Sequence, residues 1–215
     1  PIKMSGITIH KKDIKKGLSL PVMEHFFSIQ GEGFHSGKAF YFIRIAGCDV
    51  GCSWCDVKES WEIENHPVYD IHQILKFITN SKVNRVVITG GEPLMYYLDP
   101  LCIKLAKKGI LTHIETSGSH PISGIWDWFT LSPKKRKLPN EESYQKANEL
   151  KIIISRLNDL KFAESQASKV SKDCKLFLQP EWSKSHLILP IIIKYVKDNP
   201  KWNISLQIHK FMNIL

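Results

Sequence analysis

Apolar positions along the chain follow two alternating patterns. Short runs of β-branched and aromatic residues, bounded by Gly, Asp, Asn and Pro, predict strands over 22–29, 39–46 (AFYFIRIA), 84–89 (NRVVIT), 111–115, 126–131, 150–154 (LKIII), 175–178 and 203–208. Between them lie longer stretches with helical spacing, over 71–79, 100–108, 157–168 and 187–196. Asp70 stands where a helix cap is needed for the first, and Gly109 stops the second. The last is assigned a helix on its length, despite its run of isoleucines. Residues 47–61, rich in Cys, Gly and Asp, read as a loop.

Strands alternating with helices imply a parallel sheet with right-handed crossovers. The strands that alternate with helices number about six or seven, since 22–29 and 39–46 follow one another with no helix between, and this is short of the eight parallel strands of a closed barrel. The expected fold is therefore α/β, a partial TIM-like barrel of about six parallel strands with outer helices. It would form one domain over 1–215, with 1–20 a basic extension or strand region. Such sheets carry their chemistry in the loops after the strands. The polar signatures fall there: the cysteines after AFYFIRIA, Gly90-Gly91-Glu92-Pro93 after NRVVIT, and Thr116-Ser117-Gly118 after LTHIE. Ser132-Pro133-Lys134 and Gln179-Pro180 follow later strands in the same way.

Composition narrows the class. With 43% hydrophobic and 24% charged residues, the 215-residue chain reads as an ordinary globular protein. No apolar run reaches the roughly 18 residues of a membrane span, and 1–10 resembles neither a signal peptide nor a transit helix. A cytoplasmic enzyme is expected. The net charge of +9 gathers at 11–16 and 134–137. Neither cluster accompanies a nucleic-acid module, so a nucleic-acid partner is not expected, and the basic surface suits an acidic protein partner.

Three of the five cysteines lie within eight residues. An odd, clustered set argues against a disulfide framework and for metal ligation in a reducing compartment. Cys48, Cys52 and Cys55 form Cys-x3-Cys-x2-Cys. Three thiolates from one tight loop can hold three corners of an iron–sulfur cubane and leave the fourth iron open. Zinc is the rival, but a structural zinc site wants a fourth ligand, which only His25 or His35 offers without the usual paired spacing. Three unligated cysteines is the remaining alternative. Cys102 and Cys174, in apolar surroundings, read as small buried hydrophobes.

With Trp54 as the aromatic residue before Cys55, the loop resembles the hallmark of the radical S-adenosylmethionine (SAM) superfamily, and Gly90-Gly91-Glu92-Pro93 resembles its GGEP motif. The resemblance implies a 4Fe–4S cluster on Cys48, Cys52 and Cys55 and a fold of radical SAM type. It implies SAM held by Trp54, Gly90, Gly91, Glu92, Gly118, Ser132, Lys134 and Gln179.

Nearly the whole chain is similar, more specifically, to the 7-carboxy-7-deazaguanine synthase (QueE) family. Phe27-Ser-Ile-Gln30-Gly31-Glu32-Gly33 resembles its F-x-(S/T)-x-Q-G-E-G opening one residue short, and Phe26 restores the spacing. Phe42-Ile-Arg44-Ile-Ala-Gly47-Cys48 resembles its F-x-R-x-x-G-C lead-in, and Gln207-Ile-His209-Lys210 its closing Q-x-H-K. The resemblance implies a ring contraction of 6-carboxy-5,6,7,8-tetrahydropterin to 7-carboxy-7-deazaguanine with loss of ammonia, for queuosine and other 7-deazapurines. The chemistry is carried by SAM, so no side chain is expected to be catalytic in itself. Substrate contacts are expected at Gln30, Glu32, Arg44, Thr116, His209 and Leu215, the last through the terminal carboxylate that approaches the site in the family. Arg44 suits the substrate carboxylate because a guanidinium pairs with it bidentately. A homodimer and a flavodoxin or ferredoxin as reductant are the partners implied.

The sequence departs from the family at one point. The family's Cys-Asp-Thr, whose Thr helps hold magnesium, is here Cys55-Asp56-Val57. Valine offers no oxygen to a hard cation. Asp56 is a candidate magnesium neighbour and Lys58 a candidate replacement for the ion, so magnesium dependence is doubtful. The alternatives to this function are a glycyl-radical activating enzyme and a non-enzymatic iron–sulfur or zinc protein that binds tRNA.

Overall fold

The computed structural model describes residues 11–215 and, of the first ten, only the backbone pairing of 2–4 with 7–9. The expectation that 1–10 lacks a targeting signal lies largely outside the described residues. The first two strands, β1 (Ile2–Met4) and β2 (Ile7–Ile9), form that antiparallel pair. Helix α1 (Lys11–Lys15) then carries much of the first basic cluster.

A nine-stranded sheet makes up the body, with order β11-β10-β9-β8-β7-β6-β4-β3-β5. Its members are β3 (Ser19–Ile29), β4 (Ala39–Ile45), β5 (Val68–Asp70), β6 (Arg85–Gly90), β7 (Leu111–Thr116), β8 (Trp128–Leu131), β9 (Glu149–Ile154), β10 (Lys175–Pro180) and β11 (Trp202–Ile204). Seven run parallel, from β4 through β11, where the pattern predicts about six. At one edge β3 runs antiparallel to β4 and pairs with β5. Helices α2 (Ile71–Asn80), α3 (Asp99–Ala106), α4 (Glu141–Lys146), α5 (Asn158–Ala167) and α6 (Ser185–Asp198) connect the strands. Among the described residues no helix is long and apolar enough to cross a membrane.

Each parallel strand has two different faces because successive side chains alternate. One set, including Tyr41, Ile43, Ile45, Val86, Ile88, Leu150, Ile152 and Ile154, packs under the helices in the main core. Helix α2 shows how the helices join it. Asp70 accepts from the His72 and Gln73 amides while the Gln73 side-chain oxygen accepts from the Asp70 amide, a full capping box. The cap sets the helix so that Ile71, Ile74 and Ile78 point inward and are buried, each contributing about 2 kcal/mol. The opposite set of strand side chains faces the hollow of the curved sheet, where Phe40, Phe42 and Val87 form a small separate cluster with Phe26.

Two expected strands are corrected. The stretch 126–131 begins its strand only at Trp128, because the Trp126 indole is turned back to donate to the Ser123 carbonyl (2.9 Å). The stretch 203–208 ends its strand at Ile204 and then becomes α7 (Ile208–Met212). There the Ser205 hydroxyl donates to Gln179 (2.7 Å) and the Ile208 amide to the Gly31 carbonyl (3.0 Å), which draws the chain across the strand ends.

Candidate active site

The inward residues of the strands change in character along the sheet. On β4 they run Phe40, Phe42, Arg44; on β7, His113 then Glu115; on β9, Glu149, Lys151, Ile153. A cavity of about 390 Å³ opens over the C-terminal ends, lined among others by Phe42, Arg44, Thr89, Glu115, Lys151 and Ile153. That is the end at which parallel α/β sheets place their ligands.

The loop after β4 brings Cys48, Cys52 and Cys55 to this cavity, all as free, partly exposed thiols. Gly47, at φ 105, makes the turn into the loop and leaves no room for a Cβ beside the Tyr96 hydroxyl. Burial pushes the Cys48 and Cys52 thiols up, and the neighbouring thiols add to it. A cationic metal centre is what would offset that cost of ionising them. Among the described residues no three His, Cys, Asp or Glu side chains converge on one point as a single metal ion requires. Three thiols without a fourth protein donor among the described residues would suit a cubane held at three corners rather than a closed four-ligand zinc site. The loop is held from outside by Arg136, whose guanidinium donates to the Gly51 carbonyl (2.6 Å), and by Lys137 on Asp49 (2.6 Å).

Across the cavity stands a wall of charge, with Lys151 buried and Glu32 and Glu115 partly buried. Lys151 pairs with Glu32 and lies 3.5 Å from Glu115. Gln30 donates to Glu115 (2.9 Å), and Gln207 to Glu32 (2.9 Å). Burial raises the Glu32 carboxyl, but the Lys151 ammonium and the bonds from Lys151 and Gln207 outweigh it and hold it below the usual carboxylate range. Arg44 bonds Glu24 on the neighbouring strand through Nε (2.6 Å). No other described residue bonds its guanidinium, and Arg44 lines the cavity, so donors are left for an anion.

Comparison with known proteins agrees with this geometry. Residues 42–129, from β4 to β8, match the model of the Radical SAM superfamily. The chain is 53% identical over 201 residues to a 7-carboxy-7-deazaguanine synthase of Flavobacterium psychrophilum, covering 94% of this chain and 95% of the relative. It is 45% identical to another from Synechocystis sp., covering 92% and 94%. The crystal structure of QueE from Escherichia coli superposes with TM-score 0.79 at 28% identity, over 93% of this chain and 99% of that one. The chain belongs to the 7-carboxy-7-deazaguanine synthase family.

Most residues that the family resemblance points to do line this cavity. Trp54, Gly90, Gly91, Glu92, Ser132, Lys134 and Gln179 all reach it. The Lys134 ammonium sits over the Trp54 ring (5.2 Å) and donates to the Ser132 hydroxyl (2.7 Å). Gly90 and Gly91 have no room for a side chain, since a Cβ would meet the Ile45 and Gly47 carbonyls. Their turn is bound to the cluster loop's lead-in: the Gly91 amide donates to Ile45 (3.0 Å) and the Glu92 amide to Gly47 (2.8 Å). The Glu92 carboxylate is engaged by Thr116 Oγ1, Ser117 Oγ and the Ser117 and Leu94 amides. It therefore braces the loop after β7, and the Thr116 hydroxyl reaches the cavity already donated to it.

Two expected residues do not line the cavity. Gly118, at φ 71, packs against Leu131 and Ser143 and accepts from the Asn140 amide, so it shapes the turn while Ser117 faces the cavity. Lys58 opens the 3-10 turn Lys58–Trp61, which carries it to solvent while Ser60 turns inward. The lysine on Asp56 is Lys210, at 2.9 Å, with Gln207 on the same carboxylate oxygen at 3.2 Å. With no oxygen on the Val57 side chain, its carbonyl taken by Ser60, and Asp56 capped by a cation, these residues do not fit magnesium. His209 packs against Gly31, where a Cβ would lie 2.1 Å from its Nδ1, and Leu215 reaches the rim with its main-chain oxygen on Ser28 (2.6 Å). Sequence reasoning missed Lys151 and Glu115 and, though it placed Gln207 in the closing Q-x-H-K, gave it no role. The signal was present in LKIII, where a lone lysine takes an inward position of a buried strand.

Proposed function

We propose that this chain converts 6-carboxy-5,6,7,8-tetrahydropterin to 7-carboxy-7-deazaguanine and ammonia in the cavity over the C-terminal strand ends, with SAM as a regenerated cofactor. The observation that carries this is the joining of three free thiols and an open guanidinium edge in one cavity. When cluster and SAM are bound, reductive cleavage of SAM supplies the radical that takes a hydrogen from the pterin carbon bearing the carboxylate. Everything else asked of the chain is positioning.

Arg44 holds the substrate carboxylate through its Nη pair, and Glu24 fixes the angle of the fork through Nε. Gln30 and Glu32 meet the amino-pyrimidinone ring, with His209 and Leu215 closing the open side. On the SAM side, Ser132, Lys134 and Gln179 offer a hydroxyl, an ammonium and an amide, and Trp54 a stacking face. The reductant is an acidic flavodoxin or ferredoxin, which the basic loop at 134–137 beside the cluster loop favours. The chain works in the cytoplasm as a homodimer.

Anaerobic reconstitution with iron and sulfide, followed by dithionite, SAM and the carboxypterin, tests the reading by mass spectrometry. Formation of 7-carboxy-7-deazaguanine supports it. Steady 5′-deoxyadenosine without that product would keep the radical SAM assignment and sink the pterin substrate.

A further inference from the structure

Lys151 occupies a position that no simple scaffold requires. It is the middle inward residue of β9, between Glu149 and Ile153, and it is 4% exposed. Burying an ammonium is costly unless it is paired, and replacing buried ion pairs by apolar residues is commonly neutral or stabilising. The neighbouring inward layer, Phe40, Phe42 and Val87, shows that the same hollow can be filled with apolar side chains.

The lysine is instead the hub of one polar network on the cavity wall. Glu32 comes to it from the loop after β3, Glu115 from β7 and Glu149 from two residues earlier on β9. Gln30 and Gln207 bond the outer oxygens of Glu115 and Glu32 and so fix both carboxylate planes. We propose that Lys151 is the positioning residue of the substrate wall, holding Glu32 and Glu115 side by side so that both present acceptors to the N–H edge of the bound ring. Without the ammonium, two neighbouring, partly buried carboxylates repel, and one of them takes up a proton or swings away. Either outcome replaces an acceptor with a donor or a gap, and a site built to hydrogen-bond a ligand loses much of its discrimination when one partner is lost. The wall also sorts the two ends of the ligand, with acceptors at Glu32 and Glu115 and a donor fork at Arg44.

This inference rests on the pterin reading, and the wild-type reaction separates the two. If wild type cleaves SAM but makes no deazaguanine, the substrate reading fails, whatever Lys151 does. With wild-type product formation in hand, the test compares Lys151→Met with Lys151→Met/Glu115→Gln, both reconstituted and checked for iron content and SAM affinity. Lys151→Met is expected to raise KM for the pterin at least tenfold, with SAM affinity unchanged. The acid limb of its kcat/KM profile should move to higher pH, because Glu32 loses the cation that offsets its burial. The double variant, which removes the repulsion, should recover part of the lost affinity. An unchanged KM and acid limb in Lys151→Met would overturn the proposal. So would failure of both variants to take up the cluster, which would make Lys151 a scaffold residue.

Discussion

The two ends of the same hollow are built from the same inward strand positions, yet they differ in kind. At the N-terminal end, Phe34, His35, Phe40, His113 and Trp128 pack ring against ring, with centroids 4.5 to 6.3 Å apart. At the C-terminal end the next inward residues are Arg44, Glu115 and Lys151, and the hollow is an open cavity. The aromatic end gains stability from burial and stacking, and it fixes the strands whose far ends carry the charged groups. The charged end gives up apolar packing for donors and acceptors that only a ligand completes. Substitutions at the two ends should therefore move different observables, stability below and chemistry above.

The largest effect belongs to the cluster loop. Cys52→Ala should abolish cluster retention and SAM cleavage together, seen as lost iron and no 5′-deoxyadenosine. The melting temperature of the metal-free protein should shift by no more than about 2 °C, since the thiol is only partly buried. A variant that retains three-cysteine levels of iron and cleaves SAM would place the cluster elsewhere.

Next in size is Arg44→Ala. Removal of a bidentate charge-assisted pair costs about 3 kcal/mol, or roughly a hundredfold, and it also leaves Glu24 facing the substrate carboxylate. Product formation should fall by about that factor while SAM cleavage continues uncoupled. Equal loss of both would mean that Arg44 supports the cluster loop rather than the substrate.

How far this contrast could be read from sequence depends on what kind of signal each part left. Alternation and turn residues gave the strands β4, β6, β7, β9 and β10 within a residue or two, because buried parallel strands need apolar runs of that length. Segments with few apolar residues were silent: β5 is three residues long, and α4 has Glu141, Glu142, Ser143 and Lys146 on a single short turn and a half. The cysteines and GGEP announce themselves locally, since one tight loop carries the donors. The carboxylate wall does not. Glu32, Glu115, Lys151 and Gln207 are brought together from four separate segments: the register of the sheet sets Glu115 and Lys151, while the loop after β3 and the segment before α7 bring Glu32 and Gln207 to them. Lys58 and Lys210 make the same point. Nearness to Asp56 in sequence suggested the first, but the fold of the last helix delivers the second.

A smaller effect distinguishes the aromatic end. Burial pushes His113 down to about 3 and His35 to about 4, and each of the two rings lowers or crowds the other. Both values lie below that of an unfolded histidine, so the associated stability is fully present above about pH 6.5. It is lost as pH falls toward 4, where the unfolded chain binds protons that the folded chain refuses. Glu149, beside Trp128, acts in the opposite sense: burial pushes it up to about 7, so its contribution is lost as pH rises through 7. The difference between variants isolates the histidine term. His113→Phe should match wild type at pH 7.5 and become more stable than wild type at pH 5, by on the order of 1–2 kcal/mol or about 3–6 °C in Tm. SAM cleavage should not change. A constant gap between the two proteins across that range would show that the ring is free to protonate in place.

The smallest expected change is at the metal that the family resemblance brings with it. A hard divalent cation needs oxygen ligands; the Val57 side chain provides none, and its main-chain carbonyl already accepts from the Ser60 amide and hydroxyl. The nearest carboxylate, Asp56, is held below the usual range although its burial works the other way, because Lys210 and Gln207 both donate to it. A magnesium ion would have to displace an ammonium at 2.9 Å from a pair that the Trp182 ring, 4.6 Å from the same Lys210 nitrogen, further orders. Chelation with EDTA before assay should therefore change product formation by less than about twofold, followed by mass spectrometry on the metal-stripped, cluster-loaded protein. Val57→Thr alone should not create a dependence, since it restores a hydroxyl while Lys210 stays on Asp56. If wild type does require magnesium, the ion must bind with Asp56 released, and Lys210→Met should then tighten it rather than weaken it.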